Sequence, residues 1–69
     1  MTGAGNELVM FVELNTRQDA DYTVSLEWDR DTGNTQIVLA DIGDASLLVF
    51  PVSRANAGDA FRHPFRYAP

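Results

Sequence analysis

The chain has no cysteine and no lysine, and it carries one histidine and one tryptophan. Without cysteine there are neither disulfides nor thiolate metal sites. With His63 as the lone imidazole, a transition-metal site would need carboxylates for its other ligands. All five basic residues are arginine, a bias that a GC-rich genome produces and that speaks to origin rather than function. Apolar runs reach only about eight residues, far short of the roughly 20 that a spanning helix needs. Met1 to Asn6 shows no basic segment before an apolar run, so no secretory leader is expected, and the expected location is the cytoplasm.

Sixty-nine residues make one domain. A chain of this size buries only about 60% of the surface that its unfolded form exposes. Its net stability is then of the order of 3–5 kcal/mol unless a staple or a partner subunit adds to it. The net charge of −5 is the wrong sign for nucleic-acid binding, whose usual footprint is a basic patch. The charge is also uneven. Residues 1–52 hold nine acids against two arginines, a net −7, whereas residues 53–69 hold Asp59 against Arg54, Arg62 and Arg66, a net +2. Either these are ordinary solubilising charges, or the basic end docks on an acidic surface of its own chain or of a partner.

Glu7 to Leu14 is apolar and rich in β-branched residues, lies between turn-forming stretches, and reads as a strand. Tyr22 to Asp29 alternates strictly: Tyr22, Val24, Leu26 and Trp28 on one side, Thr23, Ser25, Glu27 and Asp29 on the other. Arg30 to Asn34 reads as a hairpin turn, with Gly33 free to take positive φ. Thr35 to Ala40 returns, Asp41 to Asp44 turns again, and Ser46 to Val52 forms a fourth strand. Pro51 lacks the N–H that a central ladder needs, which ends that strand or places it at an edge. Ser53 suits a helix N-cap, and Ala57, Ala60 and Phe61 share one helical face. Pro64 disfavours helical geometry at His63, giving a helix over 53–62 and an extended tail over 63–69, with residues 1–6 a frayed N-terminus. The fold class expected is α+β: a four-stranded antiparallel meander with one short C-terminal helix on one face.

That architecture leaves a face uncovered. Tyr22, Val24, Leu26, Trp28, Ile37, Leu39, Leu48, Phe50 and Phe61 form the expected core. The opposite face should show Val38, Ala40, Leu47, Val49 and, depending on register, Val9 and Phe11. Apolar strips of this kind mark contact surfaces, to be covered by the Phe65–Tyr67 tail, a second copy, or another protein.

Chemical motifs are thin. Asp31-Thr32-Gly33 matches the aspartic-protease triplet, whose chemistry needs two carboxylates sharing a proton, but it follows charged residues at an expected hairpin tip. Asp29, Asp31 and Asn34 suggest a calcium loop, yet Ala40 stands where the bidentate glutamate belongs. Gly3-Ala4-Gly5 has no preceding strand to make it a dinucleotide fingerprint. His63 could act as a base oriented by Asp59, although no nucleophile accompanies it, and the pair suits a helix end. Tyr22 and Trp28 could stack a ligand but fit the core alternation. No catalytic, metal or cofactor set emerges.

The segment Asp59-Ala60-Phe61-Arg62-His63-Pro64-Phe65-Arg66-Tyr67-Ala68, together with Trp28 to Gly33, resembles small actinobacterial proteins of uncharacterised activity that end in a helix running into H-P-F-x-Y-A. The resemblance covers under a third of the chain, and Gly58 departs from the leucine that the family favours within its helix. It implies a helix-plus-tail ending and a GC-rich bacterial origin, and nothing about mechanism. The function expected is that of a non-enzymatic protein–protein interaction module without cofactor. It would act as a homodimer or on another protein, through a surface drawn from Phe11, Val38, Leu47, Val49, Phe65, Arg66 and Tyr67. The alternatives are an acidic inhibitor of the antitoxin or immunity type that masks a basic partner, and a small enzyme or ligand carrier.

Overall fold

The computed structural model describes residues 11–69. Four strands follow one another and pair in chain order: β1 (Phe11–Gln18), β2 (Tyr22–Asp29), β3 (Thr35–Asp41) and β4 (Leu47–Val52), all antiparallel. A 3-10 turn at Arg54–Asn56 leads into helix α1 (Ala57–Arg62), and a second 3-10 turn occupies Pro64–Arg66. This is the expected meander with one short helix.

The β2–β3 register pairs Leu26 with Ile37 and Val24 with Leu39, and β3–β4 pairs Ile37 with Phe50. The alternation read from the sequence therefore stacks into one apolar face. Val24, Ile37, Leu39, Phe50 and Ala60 form its buried centre, with Tyr22, Leu26, Val52, Phe61, Tyr67 and Ala68 packed around it. Leu48 is 39% exposed because β4 is an edge strand, with β3 as its one strand neighbour among the described residues. Trp28 is also absent from the buried centre; it is only partly buried, at the end of the sheet.

The two later sheet turns, β2–β3 and β3–β4, use side chains to satisfy the backbone. At the first, the buried Asp29 accepts from the Asp31 N–H at 2.9 Å while Gly33 takes φ +80. At the second, Asp41 Oδ1 accepts from the Gly43 and Asp44 N–H groups at 2.8 and 3.3 Å, an arrangement that mimics a backbone turn.

β1 departs from expectation. It runs to Gln18, through Asn15 to Gln18, which read as a turn; Glu7 to Met10, and with them Val9, lie outside the described residues. Pairing with β2 carries the strand onward, interrupted by a bulge between Glu13 and Asn15 that leaves Leu14 as an extra residue. Positions 12 and 17 have opposite parity and would face opposite sides of a regular strand. The bulge puts Val12 across from Trp28 and Arg17 across from Val24, on the same side of the sheet.

The C-terminal segment also departs. Ser53 Oγ accepts from the Asn56 N–H at 3.3 Å, but the turn it caps is 3-10, and the α-helix begins only at Ala57. Such tight turns commonly open helices. Beyond His63 the chain is not extended: Pro64, with φ preset for a helical start, opens a 3-10 turn whose Tyr67 and Ala68 N–H groups bond back to the Pro64 carbonyl.

Candidate functional site

The tail packs on its own sheet, on the helix side. Tyr67 and Ala68 join the core, and the Tyr67 hydroxyl donates to Asp59 Oδ2 at 2.8 Å. Arg66 reaches the same carboxylate at 3.3 Å. The Phe65 ring sits edge-on to Tyr22, centroids 5.2 Å apart, yet is 63% exposed. Tyr67, first among the causes, and then the Arg66 and His63 charges hold the Asp59 carboxyl below its ordinary value, while Asp59 pushes the Tyr67 phenol up. Of the basic end, Arg66 is thus paired with the segment's own acid, Asp59. Asp59 does not orient His63: its carboxylate hydrogen-bonds Tyr67 and Arg66.

One arginine of the body does reach the helix. Arg17 donates through Nε and Nη2 to the Phe61 carbonyl, both at 3.1 Å, and through Nη2 to the Arg62 carbonyl at 3.2 Å. Its guanidinium lies 5.6 Å from the Phe61 ring centroid. These are the carbonyls that a helix leaves without intrahelical partners, and a cation suits that end of the helix dipole.

With helix and tail on one side, the reverse side of the sheet is reached by neither. Its two halves differ. Over β1 and β2 it carries Glu13 opposite Glu27, Thr16 bonded to Ser25 at 3.1 Å, and Thr23. Glu27 Oε1 also accepts from Gln36 Nε2 on β3 at 2.8 Å. Over β3 and β4 it carries Val38 opposite Val49, Ala40 opposite Leu47, and Pro51 opposite Gln36. Leu47 is 64% and Val49 46% exposed. The apolar part is thus a corner at the β4 edge rather than a strip across the sheet.

The expected contact residues therefore divide. Val38, Leu47 and Val49 come together. Phe11 shares their face at the opposite corner, across from Asp29, with the Glu27–Gln36 pair between. Phe65, Arg66 and Tyr67 belong to the helix side. Pro51 joins them: the sequence reads it as ending the strand or placing it at an edge, and β4 is an edge strand that runs through it to Val52, while its i, i+2, i+4 spacing from Leu47 and Val49 is the signal that it shares their face.

The other motifs resolve as structure. Asp31 and Thr32 are exposed at the hairpin tip, where Thr32 Oγ1 accepts from the Asn34 N–H at 3.2 Å. Among the described residues no three His, Cys, Asp or Glu side chains are grouped to hold a metal ion, and no helix is long and apolar enough to cross a membrane. Gly3-Ala4-Gly5 and the frayed terminus expected over 1–6 lie outside the described residues. Comparison with protein-family models, curated proteins and solved structures finds no match.

Proposed function

We propose that the protein is a non-enzymatic interaction module that self-associates through the β3–β4 corner of its reverse sheet face. One observation supports this reading above the rest: Leu47 and Val49 stand exposed beside Val38, Ala40 and Pro51 on the face that neither the helix nor the tail reaches. A second copy suits the corner because the corner is free of charge, so two bodies of net −5 can meet there with their acids at the rim. Closed two-fold pairs are also the commonest assemblies.

Magnitudes set the strength. Burying a Leu or Val side chain fully is worth about 1.5–3 kcal/mol. Leu47 and Val49 already bury about half of theirs, so four such side chains in a two-fold pair contribute roughly 3–6 kcal/mol, near the lower end of the 4–15 kcal/mol that association costs. The pair is therefore weak and concentration-dependent.

Sedimentation velocity over a wide concentration series tests this. A monomer–dimer equilibrium is expected, one that strengthens as salt screens the like charges and that Val49→Lys abolishes. A chain that stays monomeric at the highest concentration ends the proposal. Association that weakens with salt, and only in the presence of a basic protein, would favour the acidic-inhibitor alternative instead.

A further inference from the structure

The six residues of α1 span about 9 Å, whereas the eight-residue strands β1 and β2 run about 26 Å. A cover that short leaves the ends of the helix-side face open. At the end away from the tail lies a cleft of about 370 Å³ lined by Leu14, Leu26, Trp28, Thr35, Arg54 and Ala57. That volume falls in the lower part of the range that holds small ligands, and such sites combine apolar walls with a few placed polar groups.

Each wall has a structural reason. The bulge leaves Leu14 as the extra residue of β1, 53% exposed at the cleft. Trp28 continues the core alternation of β2 but stands at the end of the sheet, where it lines the cleft with the first residue of α1 instead of joining the buried centre. Thr35 is buried and its hydroxyl donates to the Val52 carbonyl at 2.7 Å, which leaves that oxygen only lone pairs to offer. The cationic group is the guanidinium of Arg54, which lies against the hairpin tip at Gly33 and, among the described residues, has no carboxylate within ion-pair distance.

We propose that this cleft binds a small apolar carboxylate, its hydrocarbon body against Trp28, Leu14 and Leu26 and its carboxylate paired with Arg54. The charge pattern selects this occupant. Guanidinium matches a carboxylate fork in geometry as well as in sign, and the three large side chains around it are apolar. The site is distinct from the reverse face and does not depend on self-association.

Trp28 is the only tryptophan, so its fluorescence reports the cleft directly. The intact chain is titrated with octanoate, and in parallel with octylammonium and octanol. A saturable spectral change with octanoate, at least several-fold tighter than with octanol, is expected. Arg54→Gln, at an exposed position whose loss should not unfold the chain, is expected to weaken octanoate about tenfold, the scale of one charge-assisted hydrogen bond, and to leave octanol unaffected. Octylammonium discriminates, because non-specific attraction to a chain of net −5 favours the cation, whereas the cleft favours the anion. No saturable change with octanoate, tighter binding of octylammonium, or octanoate affinity unaltered in Arg54→Gln overturns the proposal.

Discussion

Two single residues shift stability in opposite directions, neither announced by its own sequence neighbourhood. Arg17 joins an edge strand to the end of the helix by three hydrogen bonds from one guanidinium, which also lies over the Phe61 ring. Removing it takes away donors to two carbonyls as well as packing. Arg17→Ala is expected to lower stability by about 1–2 kcal/mol in urea unfolding, and Arg17→Lys to recover less than half of that, since an ammonium cannot reproduce the planar fork. Ala45 acts in the opposite direction. It is the one described non-glycine residue with positive φ, at 60°, a conformation that costs an L-residue about 1–2 kcal/mol. Glycine adopts it freely but loses more backbone entropy on folding, about 0.5–1 kcal/mol. Ala45→Gly is therefore expected to raise stability by up to about 1 kcal/mol, or a few degrees in a thermal melt.

At the scale of the elements, α1 is held at its C-terminal end and at its middle. Arg17 ties down its C-terminus, and the Asp59–Tyr67 bond ties its middle to the turn beyond. That bond gives the fold a pH dependence of known sign. Asp59 titrates below its ordinary 3.8 in the folded chain, so its contribution is present above that value and fades as pH falls through the lowered one. Tyr67 titrates above 10.0, so its contribution is present below 10.0 and fades as pH rises through the raised value. An absorbance titration of Tyr22→Phe, in which Tyr67 is the remaining tyrosine, should show a midpoint above 10.0 that returns toward it when Asp59→Asn is added. The same elements show where a sequence is legible. Tyr22 to Asp29 declares itself because burial on one face imposes a period of two on eight consecutive residues, and the Arg30–Asn34 turn because Gly33 is needed at positive φ. The bulge at Leu14 is not legible, since it exists only in the pairing of β1 with β2. The acceptors of Arg17 lie 44 and 45 residues further along the chain, so polarity alone made its segment look like a turn. The tail kept its secret for a similar reason: two aromatics announced that it packs, but only the position of Asp59 decides on which side.

For the molecule as a whole, two surfaces compete to receive a second copy, the β3–β4 corner and the outer edge of β4 in the described sheet. An edge strand presents unpaired N–H and C=O groups that invite another strand. The Asp41 N–H bonds the Ser46 carbonyl at 2.9 Å, and alternation along an antiparallel ladder then directs the backbone groups of Leu48, Phe50 and Val52 toward β3. Those of Leu47, Val49 and Pro51 point outward. Proline thus sits where its missing N–H removes one of three outward donors in β4 and costs the internal ladder nothing, a placement that guards the edge. Restoring that donor separates the two modes of association. In Pro51→Thr the fold should keep its stability to within about 0.5 kcal/mol, as expected of a surface substitution, while the edge becomes competent to pair. Sedimentation should then show growth beyond a dimer, with a gain in β signal on concentration that wild type lacks, because a copy already paired through its corner can pair again through its edge, and two different contacts per copy build past a closed pair. If Pro51→Thr instead behaves like wild type at every concentration, the edge is inert with or without its donor, and the proposed contact through the apolar corner stands without a competitor at that edge.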